Sequence, residues 1–214
     1  MSCCCPHARC AGRIFSLFAR RIRKHVEKKG LSESQKQLLA GLEQAGFAGA
    51  SVLEIGSGVG YFHQTLLEKG AATATGVDLA PKALAEARRW AEDRGLGERV
   101  QYREGDFVEL AEEIEAADVT VLDKVICCYP DADRLVHRSL ARTRRVYALT
   151  YPRSRWFTRL GAALMAVVFK MFFIPFRNYV HDPEQVEAWI TAGGFRKCYE
   201  NQTAVWLTQV YARP

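Results

Sequence analysis

Several things this 214-residue chain lacks narrow its reading before any motif is considered. No secretory hydrophobic segment precedes its cysteines, and none of the seven stands in the paired C-x-x-C spacing of a structural zinc site. An odd number of thiols in contiguous clusters (Cys3, Cys4, Cys5 and Cys10; Cys127 and Cys128; Cys198 alone) argues against a disulfide framework. The expectation is therefore a reducing, cytoplasmic setting with no metal, the first four cysteines being incidental thiols of a frayed terminus. An uninterrupted apolar run of roughly 20 residues, long enough to cross a bilayer, is also missing. The most apolar stretch, 156–176, is broken by Arg159 and Lys170, which leave ten clean residues between them. It reads as a buried or substrate-covering helix, with peripheral membrane contact as the second reading. No internal repeat is present, and no basic motif is interleaved with aromatics, which argues against a nucleic-acid partner.

Charge is unevenly spread. Residues 1–30 hold eight Lys/Arg against Glu27 alone, and residues 31–133 hold nine basic against nineteen acidic side chains. Residues 134–177 carry ten basic residues and no carboxylate, so the net +6 belongs to two basic attachments on an acidic first half. Such regions attract anionic partners or simply keep a face solvated.

The chain opens with helical periodicity. Ile14, Phe15, Phe18, Ile22 and Val26 share one stripe, which either packs over the main domain, the favoured reading, or lies on an anionic membrane surface. Gly30 ends that helix, and Ser32-Glu33-Ser34-Gln35 reads as a capping box opening a second helix to about Ala45. From Ser51 short apolar strands alternate with helices: strands at 51–55, 72–77, 100–103, 118–122 and 145–149, helices at 59–69, 81–94 and 131–141. Two closing strands, 194–200 and 203–211, are joined at Asn201-Gln202 as a hairpin. The fold class is α/β, a Rossmann-like seven-stranded sheet with a terminal antiparallel hairpin. Residues 1–48 form a basic helical cap and 49–214 the main domain, with a lid at 151–180.

Three motifs fall at the carboxyl ends of successive strands, where doubly wound sheets bind ligands. Gly56, Gly58 and Gly60 follow the first strand, preceded by Glu54. Asp78, with Leu79 after it, ends the second strand 22 residues beyond Gly56, where a carboxylate accepts hydrogen bonds from ribose hydroxyls. Gly105-Asp106-Phe107 follows the third, offering an acid to an amino group and an aromatic to a ring. A dinucleotide site would show G-x-G-x-x-G to seat a pyrophosphate. This chain has G-x-G-x-G, an arrangement suited to a ligand without phosphate.

Glu54-x-Gly-x-Gly-x-Gly resembles motif I of the class I S-adenosylmethionine-dependent methyltransferases, Gly76-Val77-Asp78-Leu79-Ala80 their second motif and Glu104-Gly105-Asp106-Phe107 their third. The resemblance covers about residues 48–212. It implies that S-adenosylmethionine is the cofactor, leaving as S-adenosylhomocysteine, with Gly56 to Gly60 approaching its methionine moiety, Asp78 the ribose and Asp106 the adenine. Glu54, Leu79, Phe107 and Asp123 complete the implied cofactor set. The loop after the fourth strand, Asp123-Lys124-Val125-Ile126-Cys127-Cys128-Tyr129-Pro130, would then flank the reactive methyl. It is not the Asn-Pro-Pro-Tyr loop used on amide or exocyclic nitrogens, nor does it supply the Asp-Asn pair of a metal-dependent catechol enzyme. With the Val180-His181-Asp182-Pro183 turn it is similar to the magnesium-protoporphyrin O-methyltransferases, departing from them where Cys128 replaces their histidine. Tyr129 and His181 are the candidate catalytic groups, with Cys128 and Lys124 beside them. The expected activity is O-methylation of a small anionic or aromatic acceptor. S-methylation of a thiol or sulfide, and a non-catalytic S-adenosylmethionine-binding protein, are the alternatives.

Overall fold

The computed structural model describes residues 6–171 and 177–214, the side chains of residues 6–11 and 13–15 excepted, so the Cys3–Cys5 cluster and the end of the 156–176 stretch lie outside the described residues. Two helices lead in. α1 (Pro6–Lys29) ends in Lys28 and Lys29, which suit the negative end of its dipole. α2 (Glu33–Ala45) opens on the expected capping box, the Gln35 side chain reaching back to the Ser32 N–H at 3.0 Å.

Strands and helices then alternate: β1 (Ser51–Ile55), α3 (Tyr61–Glu68), β2 (Thr73–Asp78), α4 (Pro81–Asp93) and β3 (Val100–Glu104). The four-residue α5 (Phe107–Leu110), β4 (Ala117–Asp123), α6 (Ala132–Leu140) and β5 (Thr143–Pro152) follow. The chain closes with α7 (Trp156–Met171), α8 (Pro183–Ala192), β6 (Arg196–Gln202) and β7 (Trp206–Ala212). The seven strands run in the order β3-β2-β1-β4-β5-β7-β6, with β7 antiparallel to both its neighbours.

Period-two alternation sends the strand side chains to two separate apolar layers. Leu53, Ile55, Leu122 and Leu149 pack with Leu135 and Val136 of α6 and Val186 and Ile190 of α8. Val52, Val119, Val121 and Val210 pack on the other face with Leu38 and Leu42 of α2 and Phe62 and Leu66 of α3. α1 sits outside this second layer against α4, where Ala19 and Val26 meet Ala83 and Trp90. The Arg23 guanidinium lies 5.4 Å from the Trp90 ring centre and pairs with Asp93 at 2.6 Å. The favoured reading of the N-terminal helix, packing over the domain, describes this contact.

Two expectations need correction. Asn201-Gln202 belongs to β6, and the hairpin turns at 203–205, where the Thr203 hydroxyl accepts from the Trp206 N–H at 2.9 Å. The 156–171 helix is not buried: no residue of α7 falls in the core. Among the described residues no helix is long and apolar enough to cross a membrane.

Candidate active site

The strand order reverses between β1 and β4, because the chain runs outward through β2 and β3 before returning to the other side of β1. A crevice opens at the carboxyl ends of these strands. It holds a cavity of about 380 Å³ walled by the ends of β1, β2, β3 and β4, with Ile22 of α1 contributing from above.

The three glycines divide their work. All have positive φ, at 69°, 53° and 78° for Gly56, Gly58 and Gly60. Gly56 lies under Val125, whose Cγ2 would be 2.6 Å from a Cβ there, so its bareness lets the loop after β4 close onto β1. Gly58 has open space where its Cβ would be, and it lines the cavity together with Gly56. Gly60 is the left-handed N-cap of α3 and does not line the cavity.

Asp78 is fixed by the backbone around it. Its Oδ2 accepts from the Gly58 N–H at 2.7 Å and its Oδ1 from Ala80 N–H at 2.8 Å. Two such bonds leave carboxylate lone pairs for a ligand. Burial raises its pKa above the ordinary carboxylate value, against the lowering effect of those N–H groups. Asp106 caps α5 through the Val108 N–H at 3.0 Å and accepts from the Tyr129 hydroxyl at 3.0 Å. Leu79, Phe107, Asp106 and Tyr129 all line the cavity. Tyr129, expected as a catalytic group, thus holds the carboxylate expected to meet the adenine.

Asp123 closes the opposite end. Its Oδ2 accepts from Gln35 Nε2 at 2.8 Å and lies 3.6 Å from Lys124 Nζ, whereas the buried Oδ1 has no well-formed hydrogen bond. Desolvation pushes this carboxyl above its usual pKa. Gln35 escaped the sequence reading. Its capping-box position was visible, but a contact spanning 88 residues is not written in any local pattern. Lys124 adopts φ 61°, a left-handed geometry that only this non-glycine residue shows among those described. Such strain costs on the order of 1–3 kcal/mol and clusters at functional sites. Its ammonium sits 5.2 Å from the Trp206 ring centre.

Two expected site residues stand elsewhere. Glu54 lies behind the loop instead of lining the cavity: its Oε2 accepts from the His63 N–H at 3.1 Å and meets His63 Nδ1 at 2.5 Å. His63 Nε2 continues to the Tyr102 hydroxyl at 3.0 Å, so Glu54 anchors α3 beneath the glycine turn. His181 lines neither this cavity nor the next. Its Nε2 donates to the Ile126 carbonyl at 2.9 Å, and burial lowers its pKa, which keeps the donor-bearing neutral ring. With the Tyr179 N–H on the Cys127 carbonyl at 2.7 Å, it fastens the 126–128 turn in place.

A second cavity, of about 570 Å³, adjoins the first and shares Lys124 and Cys128 with it. Phe157 and Met165 of α7, Val180, Val205 and Trp206 make its walls apolar. Cys128 lies at the junction and Cys127 lines the second cavity beside it, their Sγ atoms 3.6 Å apart. Among the described residues no cluster of His, Cys, Asp and Glu is placed to hold a metal ion.

The residues present fit a sulfonium nucleoside. The Gly58 gap admits a ligand to the backbone, Asp78 keeps acceptor capacity for paired hydroxyls, and the orphaned Asp123 oxygen can receive an ammonium. Fold and site together define a nucleoside-cofactor transferase. Residues 52–147 match the family model described as a methyltransferase domain, and this match, with the relatives and solved structures below, supports a class I S-adenosylmethionine-dependent methyltransferase. It is 28% identical over 159 residues to the ubiquinone biosynthesis O-methyltransferase of Pseudomonas aeruginosa strain LESB58, covering 71% of this chain and 67% of that one. Among solved structures, the magnesium protoporphyrin IX methyltransferase of Synechocystis PCC 6803 with bound S-adenosylmethionine superposes with a TM-score of 0.69 at 15% identity, covering 100% of both chains. An O-methyltransferase family 2 protein from Planctomyces limnophilus gives a TM-score of 0.63 at 16% identity over 86% of this chain and 63% of that one. At such identities these two structures speak for the fold.

Proposed function

We propose that the protein methylates an acidic oxygen, a carboxylate or phenol, on a small acceptor with an apolar body held in the second cavity. The observation that carries this reading is the junction of the two cavities at Lys124 and Cys128. Bound S-adenosylmethionine supplies an electrophilic methyl group for in-line displacement. The chain's own part is positioning and desolvation. Gly58, Asp78 and Asp106 would hold the nucleoside side, and Asp123 the amino-acid side.

Among the described residues lining the second cavity there is no carboxylate and no histidine, but there is the Lys124 ammonium. A site with a cation and without a strong base suits an oxygen that ionises readily by itself. It suits an aliphatic alcohol or a protonated amine poorly. The apolar walls strengthen the attraction between Lys124 and an acceptor anion by excluding water. The ubiquinone-pathway relative, an O-methyltransferase by name, agrees with oxygen as the acceptor atom. On this reading α1 is a cap on the cofactor and 151–180 a lid on the acceptor. Cys127, Cys128 and Cys198, held as cysteines and not as disulfides, suit a cytoplasmic setting.

The test is methyl transfer from labelled cofactor to a panel of aromatic carboxylates, phenols, thiols and amines. Carboxylates or phenols should turn over, and Lys124→Gly, which removes the cation and relieves the backbone, should slow them about a hundredfold. Transfer to thiols alone would establish S-methylation. Cofactor binding without transfer to any class would mark a sensor.

A further inference from the structure

α7 presents three different sides. Trp156, Leu160, Leu164, Val167 and Met171 are exposed to between 51% and 76%. With 3.6 residues per turn, these five fall within an arc of about 80°. Thr158, Gly161, Ala162 and Met165, beyond one edge of that arc, line the second cavity. Arg159 and Lys170 fall together beyond the other edge. The helix is thus a divider, with a cavity wall, an apolar strip and a cationic border in sequence around its axis. A contiguous apolar patch on one element marks an interaction surface.

Charge identifies what covers it. Arg155, Arg159, Lys170 and Arg177 are exposed, and none forms an ion pair among the described residues. The whole segment 134–177 contains no carboxylate to neutralise them. A second copy seated isologously on the same strip would bring these cations against their own equivalents. An anionic lipid surface accepts both sides at once, apolar side chains at the acyl boundary and long cationic ones reaching to headgroups. Trp156, at the start of the strip, is a residue type that favours that boundary.

We propose that α7 lies in the surface of an anionic bilayer, and that the acceptor enters the second cavity from that surface. The entry route rests on the reading of that cavity as the acceptor chamber; the docking does not.

Cosedimentation of the full chain with phosphatidylcholine vesicles, with and without phosphatidylglycerol, tests it. The account predicts binding at least about tenfold tighter to the anionic vesicles, weakening as salt is raised. Leu164→Glu with Val167→Glu, both outside either cavity, should reduce vesicle binding about tenfold or more while leaving the melting temperature and cofactor affinity unchanged. Arg159→Gln with Lys170→Gln should reduce binding to the anionic vesicles and flatten the salt dependence. Absence of vesicle binding, or binding indifferent to the glutamates, would overturn the docking. So would a dimer in sedimentation that the glutamates disperse without any lipid binding, because the strip would then belong to a second copy. Loss of docking with cofactor affinity intact would leave the methyltransferase reading standing.

Discussion

Asp123 is the residue whose energetics and function pull in opposite directions. Its carboxyl pKa is raised by burial, so its ionised form is disfavoured in the folded chain and stability is lost as pH rises from about 3.8 through the higher folded value. Asp123→Asn keeps an oxygen for Gln35 and removes the buried charge. The ligand-free variant should therefore melt about 2–4 °C higher at neutral pH, the shift that ~1 kcal/mol gives in a chain of this size. Its affinity for S-adenosylhomocysteine should fall about ten- to a hundredfold, the loss of one charge-assisted bond. Scanning calorimetry and titration calorimetry read the two effects; a variant neither stabilised nor weakened in binding would contradict the assignment. His181 runs the other way. Burial holds its pKa below 6.5, so stability is present above about pH 6.5 and is lost as pH falls through the lower folded value. His181→Gln should flatten that acid limb in pH-dependent denaturation, and an unchanged limb would assign it to other groups. Residue types were readable in the sequence, yet their directions were only partly so. Glu54 is in the expected motif, but strand parity puts it on the α3 face with His63, nine residues on. His181 could be seen next to a helix start, but Asp182 takes the cap, through Glu184 N–H at 3.1 Å, and leaves the ring to the Ile126 carbonyl.

Elements carried most of the legible information. The central strands β1, β4 and β5 announced themselves because both their faces are buried, which demands short continuous apolar runs. The hairpin turn was misplaced because Asn and Gln look like turn residues, while the bond that makes the turn comes from the Thr203 hydroxyl. α7 read as a buried or substrate-covering helix; the buried alternative fails because exposure follows from tertiary placement, which composition does not encode. α1 offers a prediction at this scale. Gly12 crosses the Leu79 backbone so closely that a Cβ would overlap the Leu79 carbonyl oxygen. Alanine would add about 1 kcal/mol of helix propensity. The account expects the clash to win, so that Gly12→Ala lowers the melting temperature and weakens cofactor binding, since Leu79 lines the cofactor cavity. A stabilised variant with unchanged binding would show that α1 does not press on that wall.

The molecule as a whole is two adjoining cavities at the carboxyl ends of one sheet's parallel strands, with a strained lysine between them. The cofactor side could be read from sequence because it is made of short motifs at successive strand ends, each local. The second cavity was legible only in part: the 151–180 lid and the loop at Lys124 and Cys128 were expected beside it, whereas Val205 and Trp206 join it only through tertiary packing. The central claim is that Gly58, Asp78, Asp106 and Asp123 form an S-adenosylmethionine site, and titration calorimetry with S-adenosylhomocysteine tests it most directly. The account predicts saturable binding at one site per chain, reduced about tenfold or more by Asp78→Ala through loss of a charge-assisted hydrogen bond to the ribose. Absence of binding to the native chain, or binding that Asp78→Ala leaves untouched, would contradict it.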